Sequence, residues 1–490
     1  MVIPKEITSI IKKLEKAGFE AYAVGGCARD FLRGVNPNDW DVTTNAKPED
    51  IRKLFPHNFY NNKFGTVTVV NEKTKDESLK NVEITTYRID EGYGDKRHPD
   101  EIKFTPKLEE DLARRDFTIN AMAIKVESRK SIKSKVEINN YEIVDPFNGQ
   151  KDLKNKVIKA VGDSDKRFDE DALRMVRAVR FAVQLGFEIE KDTFDAIKKN
   201  KDLLRFVSSE RMRDEFSKII LSERPYEGIE LLRKSGLLKY VAPELEAGIG
   251  VSQNRHHIYT IYEHSILSLK HCPGKKLEVR LAALLHDIAK PQTKAGAGPD
   301  ATFYNHDFVG AKFAKAILTR LKFSNAIIDK AVLLVKNHMF YYNTGEVSEA
   351  GVRRLIARVG KENLKDLMDL RIADRLGSGV PKAKPYKLRH LEYLIEKVSK
   401  DPISPKMLKI NGSDIIKILD VPPGPKIGAI LKVLLSEIIE DPKRNTKKYL
   451  EKRMKELYEL APEEIRKSEK IIQEKKEEED LKDKKKFWVK

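Results

Sequence analysis

A double glycine and a pair of aspartates lie close together near the start of the chain, and their chemistry suits phosphate transfer. Gly25-Gly26 is followed by Arg29, and Asp39 and Asp41 come ten residues after that arginine. Two glycines let the backbone approach a phosphate closely, and a helix starting there adds N–H donors. On a strand, this spacing puts both aspartates on one face, where hard oxygen ligands suit Mg²⁺. The pattern predicts phosphoryl or nucleotidyl transfer assisted by metal ions.

Each half of this pattern also has an ordinary structural interpretation. A Gly-Gly pair is usually a simple turn, and an Asp-x-Asp pair more often marks the solvated end of a strand. Here the two halves occur together, on a predicted strand, turn and helix that another strand follows. The combination favours the metal and phosphate interpretation.

Asp171 and Arg174 stand three residues apart, a spacing that makes them neighbours on a helix surface. Aspartate offers only hydrogen-bond acceptors and arginine only donors. Cytosine and adenine present an amino donor beside a ring-nitrogen acceptor, which such a pair can complement, whereas uracil and guanine present the opposite pattern. Arg177 and Arg180 continue the three-residue steps and could reach triphosphate oxygens. The alternative is a series of ion pairs on a solvated helix face.

A second set of candidate ligands lies in the C-terminal half of the chain. It consists of a lone histidine, an adjacent His-Asp pair, two more histidines and an aspartate: His264, His286, Asp287, His306, His338 and Asp374. Imidazole and carboxylate ligands suit Mn²⁺, Ni²⁺, Zn²⁺ or Fe. An adjacent His-Asp pair can direct both side chains to one ion at a distorted turn of a helix.

The elements that must position these residues change in kind along the chain. Between residues 20 and 160, β-branched and aromatic runs bounded by Gly, Asn or Pro predict strands, with helices such as Lys47–Phe55 between them. The predicted strands are Glu20–Val24, Trp40–Thr43, Thr66–Val70, Val82–Tyr87 and Glu142–Val144. From about Arg167 onward, Leu, Ile and Ala recur at three- and four-residue spacing, which predicts an all-α remainder. The predicted fold class is therefore multidomain, an α+β domain followed by helical domains.

The composition narrows the class of protein further. The chain has 490 residues, 94 Lys and Arg against 76 Asp and Glu, and a formal net charge of +18, which favours polyanionic partners. It has no apolar run long enough for a transmembrane helix and no signal-peptide pattern at its N-terminus. With only Cys27 and Cys272, the sequence excludes a disulfide framework and a four-Cys zinc site. We therefore expect an intracellular, cytoplasmic protein.

The glycine turn at Gly25-Gly26 and the aspartate pair Asp39 and Asp41 resemble motifs of the class II tRNA nucleotidyltransferase and bacterial poly(A) polymerase family. This family belongs to the polymerase-β-like nucleotidyltransferases. The resemblance continues through Arg114–Ala121, similar to the family's ribose-sensing motif, and Glu170–Arg174, similar to its nucleotide-selecting helix. It implies that Asp39 and Asp41 bind Mg²⁺ and carry catalysis. Apart from the resemblance, the alternative for Arg115 and Asp116 is an internal ion pair, with a structural role for Asp116. It also implies that seven residues bind the nucleotide: Gly26, Arg29, Arg115, Asp171, Arg174, Arg177 and Arg180.

The helical cluster resembles the HD superfamily of metal-dependent phosphohydrolases, whose signature is a lone His, an adjacent His-Asp pair and a distant Asp. Leu284–Lys290 and Leu370–Asp374 carry this resemblance. It implies that a divalent transition metal, Mn²⁺, Ni²⁺, Zn²⁺ or Fe, is bound by four residues: His264, His286, Asp287 and Asp374. The implied substrates are 2′,3′-cyclic phosphates and phosphomonoesters.

Together the two resemblances imply five segments: a nucleotidyltransferase head (1–150), a nucleotide-binding neck (151–210), an RNA-binding body (211–250), an HD domain (251–385) and a tRNA-contacting tail (386–490). They imply addition of CCA to tRNA from CTP and ATP, without a template and with release of pyrophosphate. A charged loop at Asp90–Pro99 resembles one that the family uses in switching to ATP, which disfavours a CC-only enzyme. The alternatives are addition of A alone, poly(A) synthesis, and phosphohydrolysis at the HD site as the main activity.

Overall fold

The structure, a computed structural model, describes residues 2–61, 65–72, 74–91, 101–130, 137–254, 258–340, 343, 347–380, 382–461 and 463–465. The chain divides into two units, Met1–Pro243 and Glu244–Lys490. The predicted loop at Asp90–Pro99 falls largely outside the described residues, so its proposed role stays a prediction. The same holds for the five-segment division, which is finer than these two units.

The first unit combines strands with helices. Its strands are β1 Ala21–Val24, β2 Asp41–Thr44, β3 Asn58–Asn61, β4 Thr66–Val70, β5 Asn81–Thr86, β6 Arg88–Glu91, β7 Glu101–Phe104, β8 Ala123–Lys130, β9 Glu137–Val144, β10 Val157–Ile158 and β11 Glu188–Ile189. Its helices are α1 Lys5–Lys16, α2 Gly26–Leu32, α3 Pro48–Leu54, α4 Glu77–Lys80, α5 Leu108–Ala113, α6 Gly149–Asn155, α7 Ser164–Glu170, α8 Leu173–Leu185, α9 Lys191–Asn200, α10 Ser209–Ile220, α11 Pro225–Ser235 and α12 Leu238–Val241.

Seven of these strands form one mixed sheet in the order β3-β4-β5-β2-β1-β8-β9. Strands β2 and β5 run parallel, and the other neighbouring pairs are antiparallel. In β5, inward residues alternate with outward ones, so that Val82 and Ile84 are buried and Glu83 is exposed, as expected for a sheet with one covered face. The α+β prediction for the head is confirmed.

Helix α1 covers that face because its apolar residues recur at helical spacing. Ile7, Ile11 and Leu14 are fully buried in a core that also holds Val67 and Ile84 of the sheet. Trp40 and Val42 belong to the same core and anchor the start of β2. Burying side chains of this size contributes about 1.5–3 kcal/mol each to the stability of the fold. The buried Trp40 and Val42 therefore fix the position of the strand that carries Asp41.

Among its described residues, the second unit is helical apart from one antiparallel pair of two-residue strands. Its elements are α13 Ile261–Lys270, α14 Leu277–Leu285, α15 Lys290–Thr293, β12 Lys294–Ala295, β13 Thr302–Phe303, α16 His306–Arg320, α17 Asn325–Asn337, α18 Glu349–Val359, α19 Leu364–Gly377, α20 Tyr386–Lys397, α21 Gly412–Leu419, α22 Pro425–Glu440 and α23 Lys447–Glu459. Helices α13, α14, α16, α17 and α19 pack together, while α21, α22 and α23 share a separate apolar core. The prediction of an all-α remainder is confirmed. Among the helices that the structure describes, none has the length and apolarity needed to cross a bilayer.

Candidate active site and second cluster

The two candidate catalytic aspartates lie at the start of β2. Asp41 is the first residue of the strand, whereas Asp39 is exposed on the turn before it, with Trp40 buried between them. The strand predicted at Trp40–Thr43 is present as β2, but the condition that a strand carries both aspartates is not met, because Asp39 lies on the turn that ends at Trp40. Burial, together with the charge of Asp39, raises the pKa of Asp41 to about 6. This repulsion between two oxygen ligands fits a site for a divalent cation.

The glycine turn lies beside a pair of arginines. Helix α2 begins at Gly26, and Gly25 before it adopts a left-handed φ of 81°. A Cβ on Gly25 would stand 2.9 Å from Nη1 of Arg115, so the absence of a side chain lets that guanidinium lie against the turn. Arg29 forms a two-pronged ion pair with Asp30 at 2.9 and 2.8 Å. The structure thus brings Gly26, Arg29 and Arg115 together, as predicted.

Asp111 positions Arg115, and the sequence analysis missed it. Its carboxylate is completely buried, accepts hydrogen bonds from Arg114 at 2.9 and 2.8 Å, and lies 3.6 Å from Nη2 of Arg115. Thr43 of β2 donates to it as well, at 3.3 Å. Burial would raise the pKa of Asp111, but Arg114 and Arg115 lower it below its usual value. In the sequence, Asp111 ends an acidic run that reads as a solvated helix face.

The predicted base-reading pair stands at a break between two helices, not along one helix surface. Asp171 is in extended conformation after α7, and its Oδ1 accepts a hydrogen bond from the backbone N–H of Leu173, which begins α8. Arg174 lies in the first turn of α8 and donates to Glu170 at 2.7 Å. Because the aspartate side chain competes with the backbone for helix hydrogen bonds, the helix is interrupted at Asp171. The two side chains therefore do not lie on the surface of one continuous helix.

Arg211 of α10 holds Asp171 in place. Its Nη1 and Nη2 donate to the two carboxylate oxygens at 3.0 and 2.6 Å. A paired fork of this kind fixes the plane of a carboxylate as well as its position. The sequence around Asp171 does not indicate Arg211 as its partner, because an arginine forty residues away on another helix gives no local signal.

Arg177 and Arg180 make internal ion pairs. Arg177 donates twice to Asp116, at 2.9 and 2.7 Å, and Arg180 pairs with Glu215 in the interior. Burial would raise the pKa of Asp116, but Arg177 lowers it to about 2. Asn120 donates to Asp116 at 3.1 Å and accepts from Arg29 at 2.8 Å, which connects this cluster to the glycine turn. Asp116 thus matches the alternative of an internal ion pair, although with Arg177.

The six residues of the His/Asp cluster converge in the interior of the second unit. His264 lies within α13, the His286-Asp287 pair forms the turn after α14, and Asp374 lies within α19. His306 begins α16, and His338 follows the last residue of α17. Each of the six side chains belongs to a residue that is at most 8% exposed. The predicted turn at the His-Asp pair is confirmed.

Backbone hydrogen bonds aim three of these histidines inward. Nδ1 of His286, His306 and His338 lies 2.9, 2.7 and 2.7 Å from the carbonyl oxygen of the residue three positions earlier. A carbonyl oxygen can only accept, so each Nδ1 carries the proton and each Nε2 is left as an acceptor in the neutral ring. This is the arrangement in which a histidine binds a metal through Nε2.

Asp287 lies between two groups of ligands. Its Oδ2 is 3.2 Å from Nε2 of His264 and 3.3 Å from Nε2 of His286. Its Oδ1 is 3.4 Å from Nε2 of His306 and 3.7 Å from Nε2 of His338. The ligand atoms form two sets, each compact enough to hold a metal ion. The first set is His264, His286 and Asp374, and the second is Asp287, His306 and His338. A carboxylate placed in this way can bridge two ions.

The electrostatics of the cluster also fit a cation. Burial alone would lower the pKa of His286, yet Asp287 and Asp374 raise it to about 10. Lys290 lies 2.6 Å from Oδ2 of Asp287, and Arg371 lies 2.6 Å from Oδ2 of Asp374. Each carboxylate therefore has one basic side chain as a partner in addition to the histidines. Imidazole and carboxylate donors of this kind suit a divalent transition metal.

Comparison with known proteins identifies the family. Residues 21–159 match a "Poly A polymerase head domain", residues 186–249 a "Probable RNA and SrmB- binding site of polymerase A", and residues 307–454 a "tRNA nucleotidyltransferase domain 2". The third match includes His338 and Asp374, so the HD assignment of that region stays a prediction. The three matches follow one another along the chain in the order that the sequence resemblance implied.

Individual relatives support the same family. The CCA-adding enzyme of Ligilactobacillus salivarius is 43% identical over 237 residues, which are 48% of this chain and 54% of that protein, so this chain spans about half of it. The A-adding tRNA nucleotidyltransferase of Deinococcus radiodurans is 33% identical over 431 residues, 84% of this chain and 90% of that protein. The crystal structure of the Bacillus stearothermophilus CCA-adding enzyme with CTP matches 93% of this chain and 98% of its own, with a TM-score of 0.67 and 27% identity. The chain belongs to the tRNA nucleotidyltransferase family.

Proposed function

We propose that this chain adds C, C and A to the 3′ ends of tRNA from CTP and ATP, without a nucleic-acid template. The observation that carries the proposal is the convergence of two aspartates, a glycine turn and two arginines in the head: Asp39, Asp41, Gly26, Arg29 and Arg115. Membership of the tRNA nucleotidyltransferase family supports RNA as the acceptor. The relative from B. stearothermophilus, solved with CTP, supports a nucleoside triphosphate as the donor.

In the proposed reaction the 3′-hydroxyl of tRNA attacks the α-phosphorus of the nucleotide. A bond forms between that oxygen and phosphorus, the bond to pyrophosphate breaks, and the hydroxyl proton is released. Arg29 and Arg115 stand against the glycine turn, where their positive charge would bind and orient the triphosphate. The network around Asp116 fixes their neighbour Asn120, so that the turn is already ordered before the nucleotide arrives.

Asp39 and Asp41 would hold Mg²⁺ in this reaction. When bound, the ion supplies activation of the attacking hydroxyl and screening of the leaving pyrophosphate. The support from this chain is the raised pKa of Asp41, which is due first to burial of its carboxylate and second to the negative charge of Asp39. The partial burial of Asp41 keeps water away from one side of the site.

Asp171 and Arg174 would choose the base. An acceptor from Asp171 and a donor from Arg174 complement cytosine and adenine, and each good match of this kind discriminates by about 1–3 kcal/mol. Glu170 already holds Arg174 by an ion pair, and Arg211 holds Asp171 in the same way. Asp171 and Arg174 would therefore meet the base in fixed positions. The ion pairs of Arg177 and Arg180 favour a different proposal for these two arginines, in which they support the base-reading pair from within α8.

An NTP incorporation assay tests the proposal. The full chain is incubated with Mg²⁺, a tRNA transcript that ends before CCA, and each labelled nucleotide singly and together. CCA addition predicts incorporation of C from CTP alone and of A only after both cytidines. Incorporation of A alone, as in the D. radiodurans relative, or of a long A tail would contradict it. An Asp39→Ala variant should lose all transfer, whereas an Asp195→Ala variant, altered at an exposed aspartate of α9 that pairs with Lys198, should retain activity and nucleotide specificity.

A second candidate function is metal-dependent hydrolysis of phosphate esters in the second unit. The observation that favours it is the pair of buried three-ligand sets, in which Asp287 belongs to one set and also lies within 3.3 Å of His264 and His286 of the other. Bound metal would activate water for attack on the phosphorus. The substrates that the HD resemblance implies are 2′,3′-cyclic phosphates and phosphomonoesters.

Its test uses Mn²⁺ or Ni²⁺ with 2′,3′-cyclic AMP and p-nitrophenyl phosphate. Metal-dependent hydrolysis that disappears in a His286→Ala variant supports the candidate, provided that nucleotide addition by the same variant is unchanged. A wild-type chain that hydrolyses neither compound with either metal would contradict it.

A further inference from the structure

Three aromatic side chains form a stacked row on the outer face of α20, which we call the aromatic ladder. Tyr386, His390 and Tyr393 stand four and three residues apart, and neighbouring rings lie 6.2 and 6.1 Å apart at interplanar angles of 21° and 32°. Tyr386 is 64% exposed and Tyr393 is 57% exposed. Residues this exposed contribute little to the packing of the unit, so their row needs another explanation than the core.

The opposite face of the same helix anchors it. Leu388, Leu391 and Leu394 are buried, and α20 packs against α18. The helix therefore cannot rotate to bury the ladder without exposing these leucines, at about 1.5–3 kcal/mol for each. The ladder is a permanent part of the surface of this unit.

The surroundings of the ladder are basic. Residues 382–400 contain six lysines and arginines and two glutamates. Lys384 is paired with Glu392 at 2.7 Å and Lys397 with Glu349 at 2.6 Å, so four of the six basic residues and one of the two glutamates lie outside these two ion pairs. Lys387 donates to the side-chain oxygen of Asn343 at 2.9 Å and keeps its charge, and Arg389 lies one residue before His390. Such a surface attracts a polyanion.

We propose that the aromatic ladder is a stacking platform for unpaired bases of RNA, with the neighbouring lysines and arginine contacting the phosphates. Every base has a flat π-face, so a row of exposed rings binds single-stranded nucleic acid with little regard to sequence. This inference rests on the proposed function in one respect, since tRNA is the RNA that the chain would meet. It deepens that function by naming base-stacking residues at the start of the segment 386–490, for which the sequence resemblance implied tRNA contact without naming any contacting residue.

The test measures binding of two RNAs to the full chain: a tRNA transcript that ends before CCA, and a single-stranded oligoadenosine. A Tyr386→Ala/Tyr393→Ala variant should bind each RNA about 5- to 150-fold more weakly for each base that loses its stacking partner. The matched Tyr386→Phe/Tyr393→Phe variant keeps the rings and should bind within about twofold of the wild type. In nucleotide addition, the alanine variant should raise KM for tRNA and leave kcat unchanged.

Three outcomes would overturn the proposal. The first is an alanine variant that binds both RNAs as tightly as the wild type. The second is a phenylalanine variant as weak as the alanine one, which would mean that hydroxyl groups rather than rings make the contact. The third is a wild-type dimer, seen by sedimentation, that the alanine variant cannot form while its RNA affinity is unchanged. If the wild type binds RNA through the ladder but incorporates no nucleotide, the proposed function fails and the ladder stands.

Discussion

Replacing Arg211 by methionine should relax the choice between nucleotides while leaving the head intact. In the wild type, Arg211 donates to both oxygens of Asp171, at 3.0 and 2.6 Å. Without this fork the carboxylate can rotate, and its acceptor no longer stands at a fixed place beside the amino group of the base. Loss of one bidentate match corresponds to about 1–3 kcal/mol. The ratio of kcat/KM for CTP to that for UTP should therefore fall by about 5- to 150-fold.

The measurement is single-turnover incorporation of CTP and of UTP into a tRNA transcript that ends before CCA. Arg213→Met is the matched control, because Arg213 lies on the same helix and pairs with its neighbour Asp214. That variant should keep the wild-type ratio. If Arg211→Met lowers kcat/KM for CTP and UTP by the same factor, Arg211 supports the fold alone and the base-reading account of Asp171 is refuted.

Three further predictions follow from the described contacts. Because the pKa of Asp41 is raised from 3.8 to about 6, the metal-free fold should lose up to about 3 kcal/mol of stability as the pH rises from about 4 to 6. Thermal melts should show Mg²⁺ restoring this loss at pH 7 but not at pH 4.5, and Asp41→Asn should remove the dependence; equal melts with and without Mg²⁺ at pH 7 would contradict it. Asp287→Asn should lower the metal content per chain after loading with Mn²⁺, measured by mass spectrometry, without changing nucleotide addition; an unchanged content would show that Asp287 binds no ion. Gly149→Ala should destabilise the first unit by about 1–3 kcal/mol in urea unfolding, because its Cβ would overlap the carbonyl oxygen of Thr118, whereas Gly428→Ala in open space on α22 should be neutral or stabilising. Equal midpoints for the two alanine variants would show that the contact at Gly149 relaxes freely.

Local sequence patterns predicted most of the head and the helical remainder. All five predicted strands are present, because alternation such as that of β5 is visible within a few residues. Two strands of the seven-stranded sheet were missed, β8 Ala123–Lys130 and β3 Asn58–Asn61. Strand β3 lies at the edge of the sheet and exposes Phe59. Its asparagines are typical of turns, so only its pairing with β4 makes it a strand.

The candidate sites were predictable where the chemistry lies within a short segment. Asp39 and Asp41 beside the glycine turn, and the His286-Asp287 pair after α14, are examples. The partners that hold these groups come from distant parts of the chain, as Asp111 and Arg211 show. Packing decides which of these distant residues meet, and residue spacing in the sequence carries no information about that packing. The helix break at Asp171 was missed for a related reason. The sequence does not show whether the carboxylate of an aspartate begins a new helix or lies within a continuous one.

The buried ion pairs that Arg177 and Arg180 of α8 make have an evolutionary consequence. Arg177 and Arg180 share Glu215, at 3.6 Å from Arg177, and Arg177 also neutralises Asp116. A carboxylate or guanidinium left alone in such an interior costs about 3–5 kcal/mol, a large part of the stability of a whole domain. These four positions should therefore be replaced together in distant relatives, and a lineage that loses Glu215 should be found to have lost one of the two arginines as well.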